Sequence, residues 1–171
     1  MLIMRCGIIT FFLGITLLIL FMSSCKQESD TSIDQIKMLP DIVLEQYEAS
    51  TYDLSKQPSV DKTVVLFFSP DCEFCEEEID SICNHASEFD NIRWILITDS
   101  FFEDMLKPFV RNHNLIKLEE SVILIEKRHY YTELFQAFKT PSIFVYNSKN
   151  KLIHYSRAYV GIDCLMDWLT K

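Results

Sequence analysis

The chain has 171 residues, 49% of them hydrophobic, enough to bury one domain well and too few for two comfortable ones. Its formal charge is −9, from 16 basic and 25 acidic side chains. With no basic cluster to neutralise phosphates, nucleic acid is excluded as an expected partner, and no internal repeat or low-complexity tract suggests an array.

Arg5 opens a short positive start, residues 8–21 are almost entirely apolar, and the small pair Ser23-Ser24 precedes Cys25. This is the layout of an export signal. A membrane span needs ~20 apolar residues at ~1.5 Å each, and the run over 7–22 falls short of that, so an uncleaved anchor is the lesser alternative. Met22-Ser23-Ser24-Cys25 resembles a bacterial lipobox, with Met22 where Leu is usual. The resemblance implies a lipoprotein signal peptide over 1–24, a diacylated Cys25 as mature N-terminus, a flexible polar tether over 25–37 and a folded domain over 38–171. Each buried acyl CH₂ adds ~0.8 kcal/mol, so several chains would hold the protein on a bilayer. Lys26 is not an aspartate retention signal, which leaves inner or outer membrane open.

Residues 38–44 begin the globular part, and 51–54 can pair with them as a short strand. Pro58 and Asp61 mark a turn. Val64-Val65-Leu66-Phe67-Phe68 is a continuous apolar run, the pattern of a central strand buried on both faces. From Cys72 on, Cys75, Ile79, Ile82, Cys83, Ala86 and Phe89 recur at spacings of three and four, with Glu76, Glu77, Asp80 and Asn84 between them. That is an amphipathic helix with the second cysteine on its inner face. Residues 92–98 read as the next buried strand. A helix follows over 102–113, with a kink or break expected at Pro108. Residues 122–125 suggest a strand and 131–138 a short helix. Next, 142–146 and 152–156 flank the turn Asn147-Ser148-Lys149-Asn150 as a hairpin. Gly161 precedes a last helix over 162–170, with Leu165, Met166, Trp168 and Leu169 as its buried residues.

The chemistry concentrates at Cys72-Glu73-Phe74-Cys75, where a strand hands over to a helix through Ser69-Pro70-Asp71. Unsatisfied backbone N–H groups and the positive dipole end at a helix N-terminus favour an anion, which suits a thiolate nucleophile. A second thiol one turn on can resolve a mixed disulfide.

The order strand, Cys-x-x-Cys helix, strand, helix, Thr140-Pro141, hairpin, glycine, terminal helix resembles the thioredoxin superfamily. More closely, 38–170 is similar to the TlpA/ResA-like thiol-disulfide oxidoreductases, exported bacterial proteins often tethered to a membrane. The resemblance implies an α/β thioredoxin-like fold, a central mixed β-sheet with helices on both faces. It also implies an enzyme with Cys72 as nucleophile, Cys75 as resolving thiol, Thr140-Pro141 as a cis-proline that meets an incoming peptide, and Glu78 as an active-site carboxylate. The partners it implies are protein thiols and disulfides, an upstream electron donor and, through the lipid anchor, the membrane. No cofactor is expected, and the site would face the periplasm.

Two positions depart from the pattern. Asp71 stands where the superfamily usually has Trp, and Leu66 where thioredoxins place a buried acid. Proton transfer at Cys75 then falls to Glu78, whose competing reading is a solvated carboxylate on an acidic helix face. Asp71, Glu73, Glu76, Glu77 and Glu78 oppose thiolate formation and partly offset the dipole. A less stabilised thiolate makes a weaker oxidant, as the span from ~−120 mV for DsbA to ~−270 mV for thioredoxin illustrates. A disulfide reductase is the expected role.

The alternative is a non-catalytic binding module with a static disulfide. A peroxidase is weaker, because the closely spaced cysteine pair does not fit a lone peroxidatic thiol. Cys83 and His85 do not extend the motif into a metal site: Cys83 lies about 16 Å along the helix from Cys72 at ~1.5 Å per residue. Cys83 and Cys164 read as small buried apolar residues, with a disulfide between them left open. His85, His113, His129 and His154 read as surface or satisfied histidines, and the aromatics from His129 to Phe138 as core packing or the wall of a groove.

Overall fold

The apolar, β-branched runs do become strands, and they join in one sheet. A computed structural model describes residues 31–170. The proposed signal peptide and Cys25 lie outside the described residues. Seven strands run in the order β2-β1-β5-β4-β3-β6-β7: β1 (Val43–Gln46), β2 (Thr51–Asp53), β3 (Lys62–Phe67), β4 (Ile92–Asp99), β5 (Ser121–Glu126), β6 (Ser142–Asn147) and β7 (Leu152–Ser156). The β3–β4 and β4–β5 pairs are parallel and the other neighbours antiparallel. The sheet is therefore mixed, as expected. β3 lies near its centre, with Val64 to Phe67 all buried.

Among the described residues four α-helices accompany the strands: α1 (Glu73–Asn84), α2 (Glu103–Asn112), the single turn α3 (Tyr130–Glu133) and α4 (Ile162–Thr170). Parallel neighbours need right-handed crossovers, and β3-α1-β4 and β4-α2-β5 step in the same direction across the sheet. Both helices therefore land on one face, where α4 joins them. Ile79 and Ile82 of α1, Leu106 and Phe109 of α2, and Leu165 and Trp168 of α4 form one core with Val64, Leu66 and Trp94. A second core on the opposite face gathers Val65, Phe67, Ile95, Phe135, Phe144 and Tyr155. Among the described residues its cover is lighter: α3, the loop after it and short 3-10 turns at Thr31–Ile36 and Leu54–Lys56. Among the described residues, no helix is long and apolar enough to cross a membrane.

Three expectations need adjustment. The segment expected as tether is structured from Thr31 on: a 3-10 turn spans Thr31–Ile36, Ile36 is only 1% exposed, and Leu152 donates its N–H to the Lys37 carbonyl. Apolar Ile36 packs into this second core, so the end of that segment carries structure. The helix expected over 131–138 is a single turn, because Gln136 takes a left-handed backbone (φ 50°) that a helix cannot absorb. α2, by contrast, runs through Pro108. Pro108 sits on the exposed side of that helix, where a carbonyl that loses its N–H partner can be hydrated.

Candidate active site

α1 is placed by its start. Phe68, directly after β3, donates its N–H to the Ile97 carbonyl, and Ser69, Pro70 and Asp71 then turn the chain. The Ser69 hydroxyl donates to Asp71 Oδ1, and the Cys72 N–H to the Ser69 carbonyl at 3.1 Å. Cys72 occupies the N-cap in extended conformation (φ −102°, ψ 112°), and its side chain makes no capping bond. The sulfur is thus left at the helix tip while the Cys72 carbonyl receives the N–H groups of Cys75 and Glu76. Glu73 and Glu76 in the first turn complement the dipole. Cys72 is half-buried and Cys75 fully buried behind it.

The Thr140–Pro141 bond is cis, and it sets the chain just before β6 against the dithiol. The Cys72 thiol lies 3.6 Å from the Thr140 carbonyl, in donating geometry. β6 pairs with β3 from Phe67↔Ser142 to Lys62↔Asn147, and this register brings residues 68–72 and 140–141 together. Burial pushes the Cys75 thiol up to about 12, with the hydrogen bond to Cys72 adding to the shift. Cys75 therefore holds its proton firmly while the pair is reduced.

Glu78, one turn after Cys75, is 0% exposed and so is no solvated surface carboxylate. Its Oε2 accepts from the Val160 N–H at 2.8 Å and its Oε1 from the Gly161 N–H at 3.2 Å, tying α1 to the start of α4. Burial raises its pKa, and the two N–H groups pull in the opposite sense. The outer side of the motif is aromatic and acidic. Phe74 is 60% exposed, and its ring centroid lies 6.3 Å from that of Tyr159, whose hydroxyl donates to Glu77 at 3.1 Å. Asp71, Glu73 and Glu77 are exposed as well.

Beside Thr140 opens a cavity of about 260 Å³ lined by Phe68, Ser69, Asp99, Phe102, Phe138 and Thr140, among others. Phe138 is 71% exposed, whereas Phe135 is fully buried, so the aromatic stretch divides between groove wall and core. Phe102 and Asp99 were not singled out by sequence. Asp99 ends β4 and Phe102 lies in the 3-10 turn directly after it, which only the parallel β3–β4 pairing brings alongside Ser69.

The remaining candidates are structural. Cys83 is a buried free thiol pushed up to about 11 by burial, so the bridge to Cys164 is not formed. Cys164 packs half-buried against the same core. His85 Nδ1 lies 2.8 Å from the Ser81 carbonyl at the end of α1, away from the dithiol. His113 pairs with Asp80 at 2.8 Å, and His154 stacks on Trp168 with centroids 5.2 Å apart.

No protein-family model and no curated protein matches the chain. Solved structures do. A secreted disulfide oxidoreductase of Mycobacterium tuberculosis, described as homologous to Escherichia coli DsbE, superposes with a TM-score of 0.64 at 15% identity, over 82% of this chain and 98% of that one. StoA of Bacillus subtilis gives 0.57 at 14% identity, over 75% and 98%. The thioredoxin domain of a Bacteroides vulgatus thiol-disulfide oxidoreductase gives 0.64 at 12% identity, over 78% and 93%. At these identities the likeness is one of fold, and the fold is thioredoxin-like.

Proposed function

We propose that the protein is an exported, lipid-anchored thiol-disulfide oxidoreductase of the TlpA/ResA-like kind, working as a disulfide reductase. The observation that carries this reading is the half-buried Cys72 sulfur at the N-cap of α1, 3.6 Å from the carbonyl that precedes a cis-proline, with Cys75 buried behind it. The Cys72 thiolate attacks one sulfur of a substrate disulfide. An S–S bond forms to Cys72, the substrate S–S bond breaks, and the first substrate thiol departs with a proton. Cys75 then loses its proton and attacks Cys72, which releases the second thiol and leaves the Cys72–Cys75 disulfide. Two electrons have passed to the substrate, and an upstream dithiol donor restores them.

Glu78, on the same buried face of α1 as Cys75, is the acid-base group for the resolving step, and Thr140-Pro141 is the backbone against which the substrate peptide lies. The exposed Phe74, Phe138 and Tyr159 flank that groove and suit an apolar segment around the substrate cysteine. Export and the lipid anchor at Cys25 rest on the signal and lipobox pattern. The reducing direction rests on the acidic residues Asp71, Glu73, Glu76 and Glu77 that lie in and beside the motif in sequence.

In the test, Cys75→Ser is expressed and mixed disulfides are sought in the cell envelope. The variant is expected to retain partners covalently through Cys72, and the wild-type pair to equilibrate with glutathione below about −180 mV. No trapped protein, together with sluggish reduction by excess dithiothreitol, would replace the enzyme by a binding module with a static disulfide. A potential above that value would reverse the assigned direction.

A further inference from the structure

A second cluster lies on the same edge of the sheet as the dithiol, beyond the groove. β4 ends at Asp99 and β5 at Glu126, and these two residues are register partners in the parallel ladder. Two carboxylates thus stand side by side on adjacent strands ~4.8 Å apart. The loop after β5 returns His129 to the same point. One ligand atom from each of Asp99, Glu126 and His129 lies within 4.8 Å of the others.

Each carboxylate is half committed. Asp99 Oδ1 accepts from the Phe101 N–H and Glu126 Oε2 from the Tyr130 N–H, both at 2.7 Å. Asp99 Oδ2 lies 3.9 Å from His129 Nδ1, and Glu126 Oε1 has no hydrogen-bond partner although Glu126 is 0% exposed. An unpartnered buried carboxylate oxygen is costly. The neighbouring cations do not relieve it, for Lys127 pairs with Glu45 at 2.6 Å and Arg128 Nη1 lies 3.4 Å from the Tyr130 hydroxyl.

We propose that Asp99, Glu126 and His129 form a binding site for a divalent first-row metal ion, with zinc the best match. The site draws one oxygen from each of two carboxylates and one imidazole nitrogen. Imidazole disfavours magnesium and calcium, which prefer all-oxygen shells, and the lack of thiolate disfavours copper(I). Zinc takes Asp and Glu oxygens and His nitrogen at ~2.0–2.2 Å and accepts three protein ligands with water in the fourth position. His129 Nδ1, on a side chain that is 68% exposed, lies 3.9 Å from Asp99 Oδ2, a separation that one shared ion bridges. Such an ion would satisfy Glu126 Oε1, neutralise the paired carboxylates and pin the loop after β5 to the end of β4. Asp99 also lines the cavity beside Thr140, so the metal would stiffen one wall of the groove. The proposal does not depend on the dithiol's activity.

The test is calorimetric titration of zinc into the chelator-treated full chain in mild detergent, with Cys72 and Cys75 held as a disulfide so that their thiols cannot bind metal. One saturable site is expected. His129→Ala, which removes an exposed side chain and keeps the fold, and Glu126→Gln should each weaken it at least tenfold, while His113→Ala should leave it unchanged. Zinc should also raise the melting temperature of the wild type and not of His129→Ala. Absence of saturable binding, binding indifferent to His129→Ala, or calcium bound as tightly as zinc would each overturn the assignment.

Discussion

Cys75 and Glu78 sit one turn apart on the buried face of α1, and burial makes the ionised form of each expensive. For Cys75 the consequence is a pH-dependent stability. An acid whose pKa is raised by folding binds more protons in the native state, so stability is intact below the ordinary thiol value of 9.0 and is lost as pH rises toward about 12. The reduced protein should therefore lose stability above pH 9 relative to Cys75→Ser, measured by urea unfolding across that range; parallel curves would show that the thiol is not desolvated. Glu78 answers to two demands, since its carboxylate holds the Val160 and Gly161 N–H groups and is also the proposed proton acceptor for Cys75. In Glu78→Gln one oxygen becomes an NH₂ that cannot accept, leaving one of these N–H groups unmatched at a cost of about 1–3 kcal/mol. If the carboxylate also moves the proton, the pH profile of Cys75 alkylation will shift in the same variant. Lost stability with an unchanged profile would confine Glu78 to holding α1 and α4 together.

The joint between α1 and α4 depends on one backbone conformation. Gly161 adopts φ +77°, and a Cβ there would meet nothing closer than the Tyr159 ring at 3.5 Å, so space is not the obstacle. The left-handed backbone is, at about 1–2 kcal/mol for an L-residue. Gly161→Ala should therefore cost roughly that much in urea unfolding, and because the displaced N–H faces Glu78, the loss should shrink in a Glu78→Gln background. Equal losses in both would mean that the two positions do not communicate. Elements such as this were legible in sequence where one signal dominated: the apolar run of β3, the three-and-four spacing of α1, the Asn-rich turn between β6 and β7, the glycine before α4. Boundaries failed where a single residue's backbone decided, as at Gln136, or where tertiary context overrode composition, as at Pro108 and Ile36. That Cys72 and Thr140-Pro141 lie together could be anticipated because motif and chain order coincide. The doubly bonded surroundings of Glu78 could not, nor could the pairing of Asp99 with Glu126, because both depend on residues distant in the chain.

Among the described residues the two cores are covered unequally. Three helices of nine residues or more shelter one face of the sheet, whereas the other is closed by a single helical turn, the loop after it and short 3-10 segments. On such a face each apolar plug counts. Ile36 is 1% exposed within the cluster of Phe67, Phe144 and Tyr155, and it is held there by backbone pairing of Lys37 with Leu152 and of Leu39 with Asn150. Ile36→Ala should cost about 2–4 kcal/mol through lost transfer energy and the cavity left behind, a large share of a typical stability of ~5–15 kcal/mol. A chain beginning at Met38 should lose at least as much, since the Lys37 carbonyl goes with it. If either change left the urea midpoint where it was, residues 31–37 would contribute nothing to the stability of the fold, and Ile36 would be a passenger on the second core.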